Sequence, residues 1–135
     1  MTTTLEGYIG RSLRLRLRSR CEEGGWYFRK ILLVERKSGR PVEMGAIRIR
    51  MTALSIAAQA GIRTALLPLG SILIRHQKES VSEPLVFFRV NPAPDMVTAF
   101  GLTAYVPLYG RRTEMTCSGE PVGDIVEVLA HDLAS

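Results

Sequence analysis

Leu13-Arg14-Leu15-Arg16-Leu17-Arg18 alternates apolar and charged positions without a break. A period of two predicts a strand with its leucines on a core face and its arginines in water. Glu22-Glu23-Gly24-Gly25 then turns the chain into Trp26–Arg36, a run apolar on both faces and therefore a strand covered from both sides. Lys37-Ser38-Gly39-Arg40-Pro41 turns it back into Val42–Met51, where Ile47, Ile49 and Met51 alternate with Arg48 and Arg50, a hairpin with one wet face. From Thr52 the spacing becomes helical, with Leu54, Ile56, Ala57, Ala58 and Ala60 ended by Gly61. Pro68 suits the first turn of a second helix, and Arg75, His76 and Lys78 mark its C-terminal end. A strand through Leu85 to Val90 follows, then a short helix from Asn91-Pro92-Ala93-Pro94-Asp95 to about Phe100, closed by Gly101. Ahead of all this, residues 1–11 are weakly patterned, with Thr2, Thr3 or Thr4 able to cap a brief helical turn.

The last stretch, Leu108 to Leu129, reads as two strands joined at Ser118-Gly119-Glu120-Pro121. Gly119 can take the positive φ of a tight turn, and Pro121, which cannot donate to a ladder, suits a strand's beginning. Roughly six strands with two or three helices between the first three and the last three point to an α+β fold. The expected architecture is one antiparallel sheet with helices packed on one face, in a single domain over 1–135.

The chain has 135 residues, 46% of them hydrophobic and 23% charged, enough for one core. No run of about 18 apolar residues suggests a membrane span, and MTTTLEG lacks the layout of a secretory signal, so a cytoplasmic location is expected. Cys21 and Cys117 have no C-x-x-C and no His nearby, which argues against a metal site. They read as free thiols, with a disulfide as the alternative. The net charge of +5 arises from 15 arginines and three lysines and suits anionic partners of any size. Arg14, Arg16, Arg18 and Arg20 could track phosphates along one strand face. Aromatic residues do not interleave with them, so a solvated face with no nucleic-acid partner is the reading taken.

The chemistry concentrates on two charges set in apolar strands. Glu127 lies within Asp124-Ile125-Val126-Glu127-Val128-Leu129, and Arg29 shares its face with Tyr27, Ile31 and Leu33. A guanidinium cannot escape burial by deprotonating, and an uncompensated one costs several kcal/mol. Arg29 must therefore meet a carboxylate, that of Glu127 or that of a ligand. The Leu67-Pro68-Leu69-Gly70 corner offers backbone donors or is an ordinary helix start. No G-x-G-x-x-G, Walker loop, H-E-x-x-H or G-x-S-x-G occurs, and the histidines are His76 and His131 alone.

The succession Tyr27-Phe28-Arg29-Lys30-Ile31-Leu32-Leu33, Leu67-Pro68-Leu69-Gly70, Leu108-Tyr109-Gly110-Arg111-Arg112, Ser118-Gly119-Glu120-Pro121 and Val126-Glu127-Val128-Leu129 resembles the chorismate pyruvate-lyase family over most of residues 5 to 131. The resemblance implies a six-stranded antiparallel sheet flanked by helices, and cleavage of chorismate to 4-hydroxybenzoate and pyruvate without metal or other cofactor. It implies that Arg29 grips the substrate carboxylate and that Glu127 lies near the ring hydroxyl as the other catalytic group. It also implies that Leu69 and Gly70 touch the ligand through their amides and that a residue near Thr4 lines the pocket; Arg111 and Arg112 match paired arginines with no catalytic role. The partner would be a small anionic substrate, and the protein a monomer or weak dimer, with neither nucleic acid nor membrane involved. The alternative is a non-catalytic module of the same fold that binds a small aromatic acid, as in the effector domains of some bacterial transcription regulators. A third reading makes Arg29 and Glu127 a structural ion pair in an inert domain.

Overall fold

The computed structural model describes residues 13–64, 69–76, 79–103 and 106–130. Six strands form one antiparallel sheet: β1 (Leu13–Glu23), β2 (Trp26–Glu35), β3 (Pro41–Arg50), β4 (Ser80–Val90), β5 (Leu108–Cys117) and β6 (Glu120–Leu129). Their spatial order is β1-β2-β3-β6-β5-β4. The three-stranded meander β1-β2-β3, built by local hairpins, thus meets β6-β5-β4, in which β4 and β5 are joined through residues 91–107, at one long-range seam between β3 and β6. Tight turns supply the local part: Gly24, Gly25 and Gly119 all have positive φ where β1–β2 and β5–β6 reverse.

Side chains opposite each other in an antiparallel ladder share a face, so the registers sort the sheet into two. The front carries Tyr27, Arg29, Ile31 and Leu33 of β2, Glu43, Gly45, Ile47 and Ile49 of β3, Glu127 of β6, and Arg111, Thr113 and Met115 of β5. The back carries Leu32 and Val34, Met44, Val128 and Leu108.

Three helices cover these faces: α1 (Ile56–Thr64), α2 (Leu69–His76) and α3 (Pro94–Phe100). On the front, Leu54, Ala58, Ile62, Leu69, Ile72 and Leu73 pack on Tyr27, Ile47, Ile49, Met115 and Val122. On the back, Ala99 and Phe100 of α3 pack on Leu32, Val34, Met44 and Val128. The expected α+β fold with six antiparallel strands is what forms, and α3 takes the face opposite α1 and α2. The physical reason is the double-sided apolar run of β2, which needs cover on the back as well. Gly61 does not end α1. It lies inside the helix, where a Cβ would stand 3.0 Å from Ile72 Cγ2, so it lets α1 and α2 approach closely. The α1 start is held by Ser55, whose Oγ accepts the Ala58 N–H at 3.1 Å. Cys21 is exposed and Cys117 buried, and both are free thiols, which removes the disulfide alternative.

Candidate functional site

The front face has an apolar end beneath α1 and α2, and between it and the opposite edge lies a polar floor. Arg29, Glu43, Thr113 and Glu127 are all buried there, at 3%, 2%, 4% and 7% exposure. The register fixes the arrangement. Ile31, Gly45, Glu127 and Arg111 form one row across β2, β3, β6 and β5. Arg29, Ile47, Ile125 and Thr113 form the next. Glu43 lies diagonal to Glu127 across the β3–β6 seam, opposite Leu129.

Glu127 turns to its cross-strand neighbour: Arg111 Nε donates to Glu127 Oε1 at 3.3 Å. The pairing of Arg29 with Glu127 that the sequence left open does not form. Two strands and two residues separate them, roughly 10 Å across the sheet before the offset along it. The ion pair that Glu127 makes is with Arg111 of β5. Arg112, the next residue, points to the back and donates from Nε and Nη2 to Asp124 Oδ2 at 3.0 and 2.9 Å.

Glu43 is the acid that sequence reasoning missed. Burial, then the Glu127 charge beside it, then a hydrogen bond to Glu127 push its pKa well above the usual carboxylate range. Its surroundings therefore favour the protonated form of Glu43. A signal for it existed: residues 43, 45, 47, 49 and 51 share parity with the isoleucines of β3, so the alternation already placed Glu43 on the core face. Burial also pulls the Arg29 pKa below its ordinary value, while neighbouring Tyr27 favours the charged form. Arg29 still remains a cation, because an arginine starts so high. The front face also holds buried polar atoms without hydrogen-bond partners among the described residues: Glu43 Oε1, Thr113 Oγ1 and the Tyr27 hydroxyl. Buried orphans of this kind are rare, and these three lie on the same face of the sheet.

The remaining expected site residues lie elsewhere. Leu69 is buried in the α1–α2 core, and Gly70 is exposed, with open space where a Cβ would stand. Both belong to the apolar end of the front. Thr4 falls outside the described residues. Two hollows border the floor near β1: one of about 270 Å³ lined by Arg20, Cys21, Glu22, Tyr27 and Arg63, and one of about 380 Å³ whose lining includes Phe28, Lys30 and Ala46. Among the described residues no cluster of His, Cys, Asp and Glu could hold a metal ion, and no helix is long and apolar enough to cross a membrane.

No protein-family model matches the sequence, and no curated protein matches it. The fold does have likenesses among solved structures. PhnF from Mycobacterium smegmatis superposes with a TM-score of 0.73 at 11% identity, over 98% of this chain and 64% of PhnF, so the chain spans about two thirds of that protein's length. The effector domain of PhnF alone gives 0.72 at 11% identity, over 98% of this chain and 89% of the domain. The C-terminal domain of the histidine utilization repressor from Pseudomonas syringae pv. tomato gives 0.64 at 11% identity, over 89% and 92%. These findings overturn the lyase expectation. The similar solved structures just named are a regulator and regulatory domains, not lyases. Cleavage to 4-hydroxybenzoate and pyruvate, and chorismate as the substrate, are withdrawn with it. What the superpositions establish is the six-stranded fold common to these regulatory domains.

Proposed function

We propose that this domain is a non-catalytic binding module for a small organic anion, acting as the sensing part of a regulator. The observation that carries the reading is the polar floor of the front face: four buried polar or charged residues on neighbouring strands, two of which, Glu43 and Thr113, carry a hydrogen-bonding atom unsatisfied by the described residues. Such a floor is costly for a plain core, where an unsatisfied buried donor or acceptor costs about 1–3 kcal/mol. The guanidiniums of Arg29 and Arg111 lie on this face, which suits a ligand with an anionic group.

In this reading Arg29 and Arg111 hold the anionic group, with the planar fork that recognises carboxylate or phosphate. Neutral Glu43, the Thr113 hydroxyl and the Tyr27 hydroxyl donate to or accept from the ligand's other polar groups, and Glu127 keeps Arg111 in place. Leu69 and Gly70 then serve by forming α2, which closes the apolar end. The effector domain of PhnF supports the sensing role, and the histidine utilization repressor supports a regulatory outcome. A regulator of this kind works with DNA through another domain or subunit, so the expectation of no nucleic acid is kept only for the front-face site itself.

The test is a thermal-shift screen of small monoanions (carboxylic acids, amino-acid derivatives and phosphate monoesters) at millimolar concentration. A true ligand at 100 times its Kd stabilises by about 2.7 kcal/mol. The expected result is a stabilising compound whose effect is lost in Arg29→Gln and Arg111→Gln while both variants stay folded. A stabilising compound whose effect survives both substitutions would place binding elsewhere.

A further inference from the structure

The arginines of β1 do not form one row. Arg14 and Arg16 stand opposite Val34 and Leu32, on the back of the sheet. A register shift between Leu17 and Ser19 then changes the parity, so that Arg20 stands opposite Arg29 and Glu22 opposite Tyr27, on the front. Unbroken alternation would have kept Arg20 on the back with Arg14 and Arg16. Irregularities of this kind are over-represented next to functional sites, where they re-aim a side chain.

Arg20 is held where the shift puts it. Its Nη1 donates to the Arg63 carbonyl oxygen at 2.7 Å, in the last turn of α1. Arg63 in turn donates from Nε and Nη2 to the two carboxylate oxygens of Glu22, at 3.0 and 2.8 Å. These bonds tie the end of an edge strand to a helix distant in sequence and order two long side chains before any ligand arrives, which lowers the cost of binding one. Here lies the hollow of about 270 Å³, lined by two guanidiniums, Arg20 and Arg63, against one carboxylate, Glu22, with Cys21 and Tyr27 completing the wall. A guanidinium is a fork of several N–H donors. Among the described residues Arg20 directs one to the Arg63 carbonyl and Arg63 directs two to Glu22, so donors of both remain for a ligand.

Glu22 acts as an internal probe of the field at this place. The hydrogen bond from Arg63, and after it the charges of Arg63 and Arg20, outweigh burial and hold its carboxyl below the ordinary pKa. Both arginines thus already favour a negative oxygen group here.

We propose that this hollow is a second anion site, apart from the polar floor, which takes a small oxyanion, a carboxylate or a phosphate group, on the forks of Arg20 and Arg63. The planar fork matches either group. Arg63 is about half exposed and Arg20 is exposed, so the site is a weak one, on the order of millimolar. It does not depend on the reading of the floor, with which it shares neither arginine.

Cys21 supplies a reporter inside the site, since it lines the hollow and is exposed, whereas Cys117 is buried and burial pushes its thiol up. The experiment is the rate of Cys21 alkylation by neutral iodoacetamide, followed by mass spectrometry of the full chain. Phosphate, sulfate or acetate is added up to about 50 mM, a range that brackets a millimolar site, with ionic strength held constant by sodium chloride. In the wild type at least one of these anions slows alkylation severalfold and saturably. Arg20→Gln abolishes that protection, and Arg16→Gln, on the same strand but the back face, retains it. Protection by phosphate and sulfate but not acetate assigns a tetrahedral ligand, and protection by acetate assigns a carboxylate. Alkylation that none of the three slows overturns the proposal, as does protection that survives Arg20→Gln or is lost in Arg16→Gln. Circular dichroism verifies folding, and if Arg20→Gln does not fold, Arg20→Lys, which keeps the charge without the fork, takes its place with weakened protection expected.

Discussion

Replacing Glu43 with glutamine tests the central electrostatic feature of the molecule. Glu43 is 2% exposed, and burial and the Glu127 charge raise its pKa well above the ordinary value. In the unfolded chain that group returns to about 4.3. The native state then binds the proton more tightly than the unfolded state, so the stability this contributes is complete below about pH 4.3 and is lost as pH rises toward the native value. Within that window each pH unit costs up to about 1.4 kcal/mol. For a domain of this size that is roughly 3–6 °C in Tm. Glutamine keeps the shape and hydrogen-bonding capacity of the neutral acid but cannot titrate.

Thermal and urea unfolding of wild type and Glu43→Gln from pH 4.5 to 8 should therefore give curves that nearly coincide at the acid end and separate as pH rises, the variant being the more stable at pH 7. Glu127→Gln should also flatten the wild-type decline, because it removes the charge that opposes ionisation of Glu43, though it also deprives Arg111 of its partner. Parallel pH profiles for wild type and Glu43→Gln, or a variant less stable at pH 7, would refute the assignment of the proton to Glu43.

Two further substitutions probe the frame around the floor. Gly123→Ala should lower Tm by the equivalent of about 1–3 kcal/mol, because the new Cβ would strike the Arg48 carbonyl oxygen and stand 2.9 Å from Ile49 Cα, both backbone and unable to yield. Wild-type stability in that variant would show that the β3–β6 seam is looser than described. Tyr27→Phe removes a buried hydroxyl that finds no partner among the described residues, so urea unfolding should change by no more than about 0.5–1 kcal/mol and in either direction. A loss above about 2 kcal/mol would mean the hydroxyl is satisfied in the folded protein.

Much of the fold was legible because it is local. Alternation in Leu13–Arg18 and in Ile47–Met51, the glycine turns and the Gly101 stop each depend on neighbours in sequence, and the strands they announce all form. Strand lengths were less legible. β1 runs on to Glu23, and β4 begins at Ser80 rather than Leu85, because ladder pairing with β2 and β5 carries strands past the end of their own pattern. Gly61 misled for a related reason: the same absent side chain that can stop a helix can also admit Ile72 against it, and only the neighbouring helix decides which.

For the site, the sequence by itself determined that Arg29 and Glu127 are buried charges, since an apolar run on both faces leaves a strand no wet side. It equally contained Glu43 on the core face of β3, through parity alone. What it did not contain was who meets whom. Strand order is set by which meander edges pair, here β3 with β6 across some 80 residues of sequence, and that choice gives Glu127 to Arg111, sets Glu43 beside Glu127 and leaves Arg29 two strands away. Burial is written in the local pattern of a strand, whereas partnership between charges depends on register between strands distant in sequence. Only the tertiary structure could therefore show that Glu127 meets Arg111, with Glu43 beside it.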